Sequence, residues 1–314
     1  TATRLGYRRG FAWHWVCLGW EAILHGRLDE ARELLTRSVT ASDEVGDPAP
    51  NGYANGLLAY ALLWRGDIEF AYSLAGTTLE RVLETGAGMA FGLAHQMLGR
   101  TEMALGEFPA ARGHLETAVE AERLSGFAYQ LSWHLVVLGT LDRVEGNLDA
   151  AHGHAEEALE VARWVGSGWM QAGAERLLGR LALAAGEATE AERYVHDVLD
   201  CLVAKSFALD IPECLDVLAA VTATQESFEE AARLLGAAAA GRQQLGIVRF
   251  PPEPEFWASV ERTMREALGP DGYDAAFAAG AALGTDEAVA YVCRTRGERR
   301  RRHQMVTSAV PPVA

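Results

Sequence analysis

The side chains best suited to chemistry in this sequence are aromatic rings and arginines, spaced along apolar segments with helical periodicity. Arginine guanidinium groups bind carboxylates or phosphates through paired hydrogen bonds. Aromatic faces stack on sugars or apolar peptide side chains and hold cations. Aligned on one repeating unit, these residues predict a groove that is aromatic at one end and basic in the middle. The predicted groove residues are Trp13, Trp20, Tyr53, Tyr60, Trp64, Gln96, Arg100, Trp133, Thr140, Arg143, Arg176 and Arg180.

These residues allow two interpretations. In the first, the groove binds a protein partner or a small-molecule effector, and an anionic, sugar-like or acidic peptide ligand suits its basic middle. In the second, the tryptophans pack between neighbouring helical hairpins and the arginines pair with carboxylates, which are in excess because the formal net charge is −15. Glu213 and Asp216 give the predicted groove an acidic far end.

The sequence predicts no catalytic or metal site. His152 and His154 are two residues apart, so they point to different sides of a helix and cannot share a metal there. The four cysteines show no metal-binding or redox spacing, and no G-x-S-x-G nucleophile motif is present. We therefore expect a chain that is not an enzyme and holds no metal and no cofactor.

The elements that position these side chains are set by a 40-residue repeat. Glycine recurs at that interval, a small residue lies seven positions before each glycine, and an alanine lies five positions after it. The small residue lets two helices cross closely, the glycine ends the first helix in a left-handed conformation, and the alanine lets the second helix dock. The turn glycines are Gly26, Gly66, Gly106, Gly146 and Gly186, and Glu226 takes this position in the sixth unit.

This spacing resembles the tetratricopeptide repeat over about residues 10–240. The resemblance implies an all-α, tetratricopeptide-like α-solenoid of about six 40-residue hairpins, in which the first helix of each pair faces the concave surface. Because the usual repeat has about 34 residues, we expect the extra residues to follow the second helix. Lengthened units of this kind look like those of the maltose-regulon activator class of bacterial regulators.

The 40-residue spacing does not continue after the sixth unit. We predict a tetratricopeptide-like superhelix over residues 1–240 and a C-terminal helical cap over residues 241–298. Gly269 and Pro270 are expected to separate two helices of that cap. Residues 299–314 form a basic, proline-bearing tail that we expect to be disordered.

Residues 228–298 resemble the region before the DNA-binding domain in large actinobacterial LuxR-type regulators, which also carry an N-terminal STAND ATPase module. By this resemblance the chain is the sensor region of such a regulator. ATP is then expected only in a missing N-terminal module, and DNA binding only through a missing C-terminal helix-turn-helix. Lys205-Ser206 lacks the glycines of a phosphate-binding loop, and no recognition helix follows the arginine-rich end. Because Thr1 begins within a helical pattern, we expect a segment of a longer polypeptide.

The acidic balance disfavours nucleic-acid binding by most of the chain. No apolar run is long enough to cross a membrane and no signal peptide is evident, so we expect a cytoplasmic protein without membrane contact. The function these features favour is a regulatory sensor and protein-interaction scaffold for transcription, with an effector or partner in the concave groove. A stand-alone peptide-binding tetratricopeptide adaptor is the alternative.

Overall fold

The structure is a computed structural model that describes residues 8–250 and 253–294, and within these residues it contains helices and no β-strand. A short 3₁₀ turn, Gly88–Ala90, precedes the fifth α-helix. Residues 285–294 form the last described helix, α14. The other helices are α1 (Arg8–Leu24), α2 (Leu28–Val45), α3 (Pro48–Arg65), α4 (Ile68–Thr85), α5 (Phe91–Leu105), α6 (Phe108–Ser125), α7 (Ala128–Val144), α8 (Leu148–Val165), α9 (Gly168–Ala184), α10 (Ala188–Ala204), α11 (Ile211–Thr224), α12 (Phe228–Leu245) and α13 (Pro254–Ala281).

Helices α1 to α12 pair into six consecutive hairpins, α1 with α2 through α11 with α12. The first helix of each hairpin also packs against the first helix of the next, so α1, α3, α5, α7, α9 and α11 form a continuous inner layer. The second helices carry their apolar residues on the face toward that layer. The prediction of an all-α, tetratricopeptide-like solenoid is confirmed.

Turns with a left-handed residue recur every 20 residues from Gly26 to Gly246. The glycines of the predicted 40-residue repeat account for only every second turn, because they mark the turn inside each hairpin and not the turn between hairpins. At two of these positions the residue is not glycine: Ser206 has φ 57° and Glu226 has φ 59°.

The prediction that the extra residues of each repeat follow the second helix is wrong. They lengthen the helices, since α2 runs to Val45 and α3 already begins at Pro48.

Small residues mark the closest contact between the two helices of a hairpin. A Cβ atom on Gly99 would lie 2.6 Å from Cγ of Leu115 and 3.1 Å from the carbonyl oxygen of Ala111. In the first hairpin, a Cβ on Gly19 would likewise lie 2.6 Å from Cγ of Leu35. Residues separated by whole repeats therefore occupy equivalent packing positions. The docking alanines, Ala31, Ala71, Ala111, Ala151, Ala191 and Ala231, are all 0% exposed.

The solenoid winds tightly enough for its first hairpin to meet its last ones. The backbone N–H of Leu209 donates to the carbonyl of Leu24 over 3.3 Å, and Nδ1 of His25 bonds the carbonyl of Ser206 over 2.7 Å. The segment after α12 crosses to the second hairpin, where the N–H of Val248 donates to the carbonyl of Trp64 over 2.8 Å. These contacts join the first two hairpins to the end of the solenoid.

Helices α13 and α14 pack on the sixth hairpin. Helix α13 is broken at Gly269, which has φ 70° and ψ 164°, at the position predicted from the sequence. Its second part crosses α12 so closely that a Cβ on Gly280 would lie 1.8 Å from the carbonyl oxygen of Arg233. Helix α12 continues to Leu245, so the predicted boundary at residue 240 falls inside a helix. The predicted tail, residues 299–314, lies outside the described residues.

Replacing Gly99 with alanine should lower the free energy of unfolding by about 1–2 kcal/mol, because the new methyl group collides with Leu115 in a close-packed crossing. Thermal or urea unfolding followed by circular dichroism measures this change. Gly113, on the exposed face of α6, is the matched control, since nothing lies within 4 Å of a Cβ built there. Gly113→Ala should raise stability by about 0.5–1 kcal/mol. Equal effects at both sites would contradict the close crossing.

Replacing Glu226 with glycine should stabilise the protein by about 0.5–1 kcal/mol, because glycine adopts the left-handed conformation without the steric cost that a side chain carries. The neighbouring Gln225, with φ −93°, is the control. There a glycine gains nothing in the folded state and loses more conformational entropy on folding, so Gln225→Gly should destabilise. Unfolding midpoints of the two variants decide the comparison.

Candidate functional site

An aromatic cluster fills the interior of the solenoid. Trp20 on α1 reaches across to Trp169 on α9, with ring centroids 4.8 Å apart, and to Trp133 on α7 at 5.3 Å. Tyr60 on α3 lies 5.2 Å from Trp133. Edge-to-face contacts of this kind stabilise a core. Trp20 and Trp133 of the predicted groove therefore pack in the interior. Trp20 packs against hairpins three and four units away, and not only against its neighbour as the second interpretation supposed.

Three other predicted groove residues lie away from the cavity described next. Trp13 and Tyr53 pack edge to face with ring centroids 5.3 Å apart. Gln96 is 0% exposed, and neither polar atom of its amide has a hydrogen-bond partner among the described residues. Trp169 was missed by the sequence analysis, because it lies in the first turn of its helix and its role depends on contact with a helix four hairpins away.

Beside the aromatic cluster lies a cavity with about 720 Å³ of empty space, part of it open to solvent. We call it the inner chamber. Its walls come from the first helices α3 to α11, with Phe250 at one side. A second space of about 510 Å³ continues past Phe250 and includes Glu253. Seven of the predicted groove residues line the inner chamber: Tyr60, Trp64, Arg100, Thr140, Arg143, Arg176 and Arg180.

Two of the four interior arginines hold the carboxylate of Glu253. Arg143 donates two parallel hydrogen bonds to Glu253, of 2.6 and 2.7 Å, and Arg180 donates to the same carboxylate. Burial and the neighbouring charge of Arg143 lower the pKa of Arg180 to about 10. Burial alone would raise the pKa of Glu253, but the hydrogen bonds from Arg143 and the charge of Arg180 lower it below the ordinary value. A residue from the segment after the last repeat thus occupies the basic centre.

The third arginine, Arg176, is paired with carboxylates of α11 and of the turn before it. It donates to Asp210, and Oε2 of Glu213 lies 3.4 Å from its Nη1. Although burial alone would lower the pKa of Arg176, these two carboxylates raise it above the ordinary value. Asp210 also accepts a 3.3 Å hydrogen bond from Nε1 of Trp169.

The fourth arginine, Arg100, forms no salt bridge among the described residues, although the charges of Asp210 and Glu213 act on it from a greater distance. Its guanidinium carbon lies 5.2 Å from the ring centre of Tyr60 and 5.7 Å from that of Trp133. Its buried Nε has no hydrogen-bond acceptor. Burial is the main cause that lowers the pKa of Arg100. A cation held against two rings, with donor capacity left over, is suited to binding an anion.

The acidic far end predicted from Glu213 and Asp216 is largely neutralised. Asp216 is 1% exposed and accepts hydrogen bonds from Arg242 on α12 and from Arg249 in the following segment. Arg249 and Glu253 were not identified from the sequence. The repeat spacing predicts which residues face inward only for helices inside the repeats. Arg249 and Glu253 lie in the segment after the last repeat, so the spacing gives no information about them.

Within the described residues, no group of three or more histidine, cysteine, aspartate or glutamate side chains is placed to hold a metal ion. The helices of the described part include none with the length and apolar character needed to cross a bilayer.

No protein-family model matches this chain. Two curated relatives are the proteins named "Putative HTH-type transcriptional regulator Rv0890c" of Mycobacterium tuberculosis and "Putative HTH-type transcriptional regulator Mb0914c" of Mycobacterium bovis. Each is 32% identical over 277 residues, a match covering 88% of this chain and 30% of the relative. The chain therefore spans less than a third of the length of these regulators.

Several solved structures share the fold. The apo form of RapI matches with a TM-score of 0.58 and 15% identity, covering 75% of this chain and 84% of RapI. A Rap protein complexed with competence and sporulation factor matches with a TM-score of 0.58 and 16% identity, covering 71% of this chain and 61% of the Rap chain. BtubC from P. vanneervenii has a TM-score of 0.50 and 17% identity, covering 73% of this chain and 93% of BtubC. At these identities the likeness shows a shared helical-repeat architecture.

Replacing Glu253 with glutamine should lower the free energy of unfolding by about 1–3 kcal/mol at neutral pH, because two buried arginines lose their counter-charge. The folded-state pKa of Glu253 lies below the ordinary value of 4.5, so its stabilisation is complete above that pH and is lost as the pH falls below it. The stability difference between wild type and Glu253→Gln should therefore shrink in acid.

Unfolding curves measured at several pH values test this dependence. Glu255→Gln, an exposed change two residues away, should alter stability by less than about 0.5 kcal/mol at every pH. A difference between Glu253→Gln and wild type that stays constant down to acid pH would contradict the buried ion pair.

Proposed function

We propose that this chain is the effector-sensing helical-repeat region of a bacterial LuxR-type transcriptional regulator, without enzymatic activity of its own. The observation that carries the proposal is the inner chamber with its interior arginines, found in a chain that matches a segment of HTH-type transcriptional regulators at 32% identity. A STAND ATPase module and a helix-turn-helix would lie in other parts of such a regulator. ATP and DNA contacts belong to those parts, and the protein acts in the cytoplasm.

The mechanism we propose is a shift in the curvature of the solenoid. The inner chamber is bounded by helices α3 to α11 and by Phe250, so one ligand there touches most of the repeats and the segment that follows them. The closing hydrogen bonds, Leu24 with Leu209 and Trp64 with Val248, join early hairpins to late ones. A ligand that favours one arrangement of these contacts changes the relative position of the two ends of the region.

A stand-alone adaptor that threads a peptide along an open concave groove is the alternative. The contact between Trp20 and Trp169 fills the interior where such a peptide would lie, and this favours a compact ligand over an extended one. A sensory site for a compact ligand therefore fits this interior better than a channel for a threaded peptide does.

The regulatory role is tested in the host that encodes the chain, by an in-frame deletion of the codons for residues 8–294. Sequencing of total RNA should show changed transcript levels for a defined gene set, and complementation with the intact gene should restore them. A deletion strain whose transcripts match the parent under all growth conditions tested would contradict the proposal. An unrelated chromosomal deletion of equal length serves as the control.

A further inference from the structure

Arg100 stands apart from the other interior arginines in its charge environment. Arg143 and Arg180 share Glu253, and Arg176 is paired with Asp210 and Glu213. Within residues 8–250 and 253–294, Arg100 forms no salt bridge. Its guanidinium lies against the rings of Tyr60 and Trp133, and the charges of Asp210 and Glu213 act on it from beyond salt-bridge distance. Arg100 is part-buried, and its fully buried Nε has no hydrogen-bond acceptor. Taking a cation out of water is costly, so an anion bound beside this guanidinium would offset part of that cost.

The inner chamber leaves room for such a partner beside Arg100. Both Arg100 and the rings of Tyr60 and Trp64 belong to its wall, and Leu177 and Phe250 supply further apolar surface. Pockets that hold small organic molecules have this composition, with mostly apolar walls and few polar groups that fix orientation. Stacking on Tyr60 and Trp133 holds the guanidinium in place, so little entropy is lost when it receives an anion.

The charge and shape of the chamber limit what fits. Glu213 lines the same wall, and it would repel a ligand with several negative charges. The aromatic contact between Trp20 and Trp169 closes the interior on one side, which excludes an extended chain. A compact ligand with one negative charge and an apolar body satisfies both conditions.

We infer that the inner chamber binds a small organic monocarboxylate, anchored by a charge-assisted hydrogen-bonded pair with Arg100, while its apolar body packs against Tyr60, Trp64 and Phe250. This rests on the proposed function, because it names the ligand class of the same sensory site. Arg100 is then a ligand-binding residue, and its guanidinium, which forms no salt bridge with a described residue, provides the specificity for an anion.

The test uses the full chain and a set of defined probes: benzoate, phenylacetate and hexanoate as carboxylates, benzamide as the neutral counterpart of benzoate, inorganic phosphate, and an acetylated glutamate-rich tetrapeptide. Tryptophan fluorescence and isothermal titration measure binding, since Trp64 lines the chamber. We expect saturable binding of at least one carboxylate at millimolar concentration or below, and at least about tenfold weaker binding of benzamide and phosphate.

Arg100→Met should weaken carboxylate binding by at least about tenfold, whereas Arg123→Gln, which removes an exposed arginine paired with Glu157, should leave it unchanged. Without ligand, Arg100→Met should melt at the same or a higher temperature than wild type, because the unpaired charge is gone. This thermal readout separates a binding role from a structural one.

The inference is overturned if no carboxylate in the set binds, if Arg100→Met melts at lower temperature and still binds the carboxylates, or if the tetrapeptide binds more tightly than the small acids. Its failure is distinguishable from that of the proposed function. Changed transcripts in the deletion strain with no carboxylate binding would reject the ligand class alone, whereas carboxylate binding with unchanged transcripts would reject the regulatory role alone.

Discussion

The close crossing of the two helices in each hairpin is the contact on which the rest of the structure depends. At Gly19 and Gly99 the first helix lies so near the second that a single added methyl group would overlap a leucine side chain. Fixing this distance in successive hairpins, together with a left-handed turn every 20 residues, fixes the angle between neighbours. A constant small rotation per unit then accumulates into a superhelix, as in other repeat proteins.

The radius of that superhelix decides what its interior can hold. Here the winding brings Trp20 against Trp169, and it brings the carbonyl of Leu24 to the N–H of Leu209. An interior closed in this way has a low dielectric constant, which strengthens interactions between the charges inside it and raises the cost of leaving any of them alone. Glu253 between Arg143 and Arg180 is a charge arrangement that this environment favours.

The same environment makes Arg100 informative. Sites that bind ligands often keep groups whose interactions are complete only when the ligand is present, at some cost in stability. Other buried arginines of this chain form ion pairs with carboxylates: Arg176 with Asp210 and Glu213, and Arg242 with Asp216. Among the described residues, Asp210 and Glu213 act on Arg100 only from beyond salt-bridge distance, and this lack of a direct ion pair fits a binding role. The rings of Tyr60 and Trp133 beside its guanidinium fit a role in orientation.

The repeat architecture could be predicted from residue types and spacing alone, because it depends on local features: glycines that adopt left-handed turns, small residues that permit close crossing, and alanines that are fully buried. It also placed Tyr60, Trp64 and Arg100 on the inner layer, since helical register follows from spacing along one segment. The packing of Trp20 against Trp169 and the pairing of Glu253 with Arg143 became evident only from the three-dimensional structure. These contacts join residues more than 100 positions apart, and their formation depends on how small rotations add up over five hairpins, a quantity that no local pattern encodes.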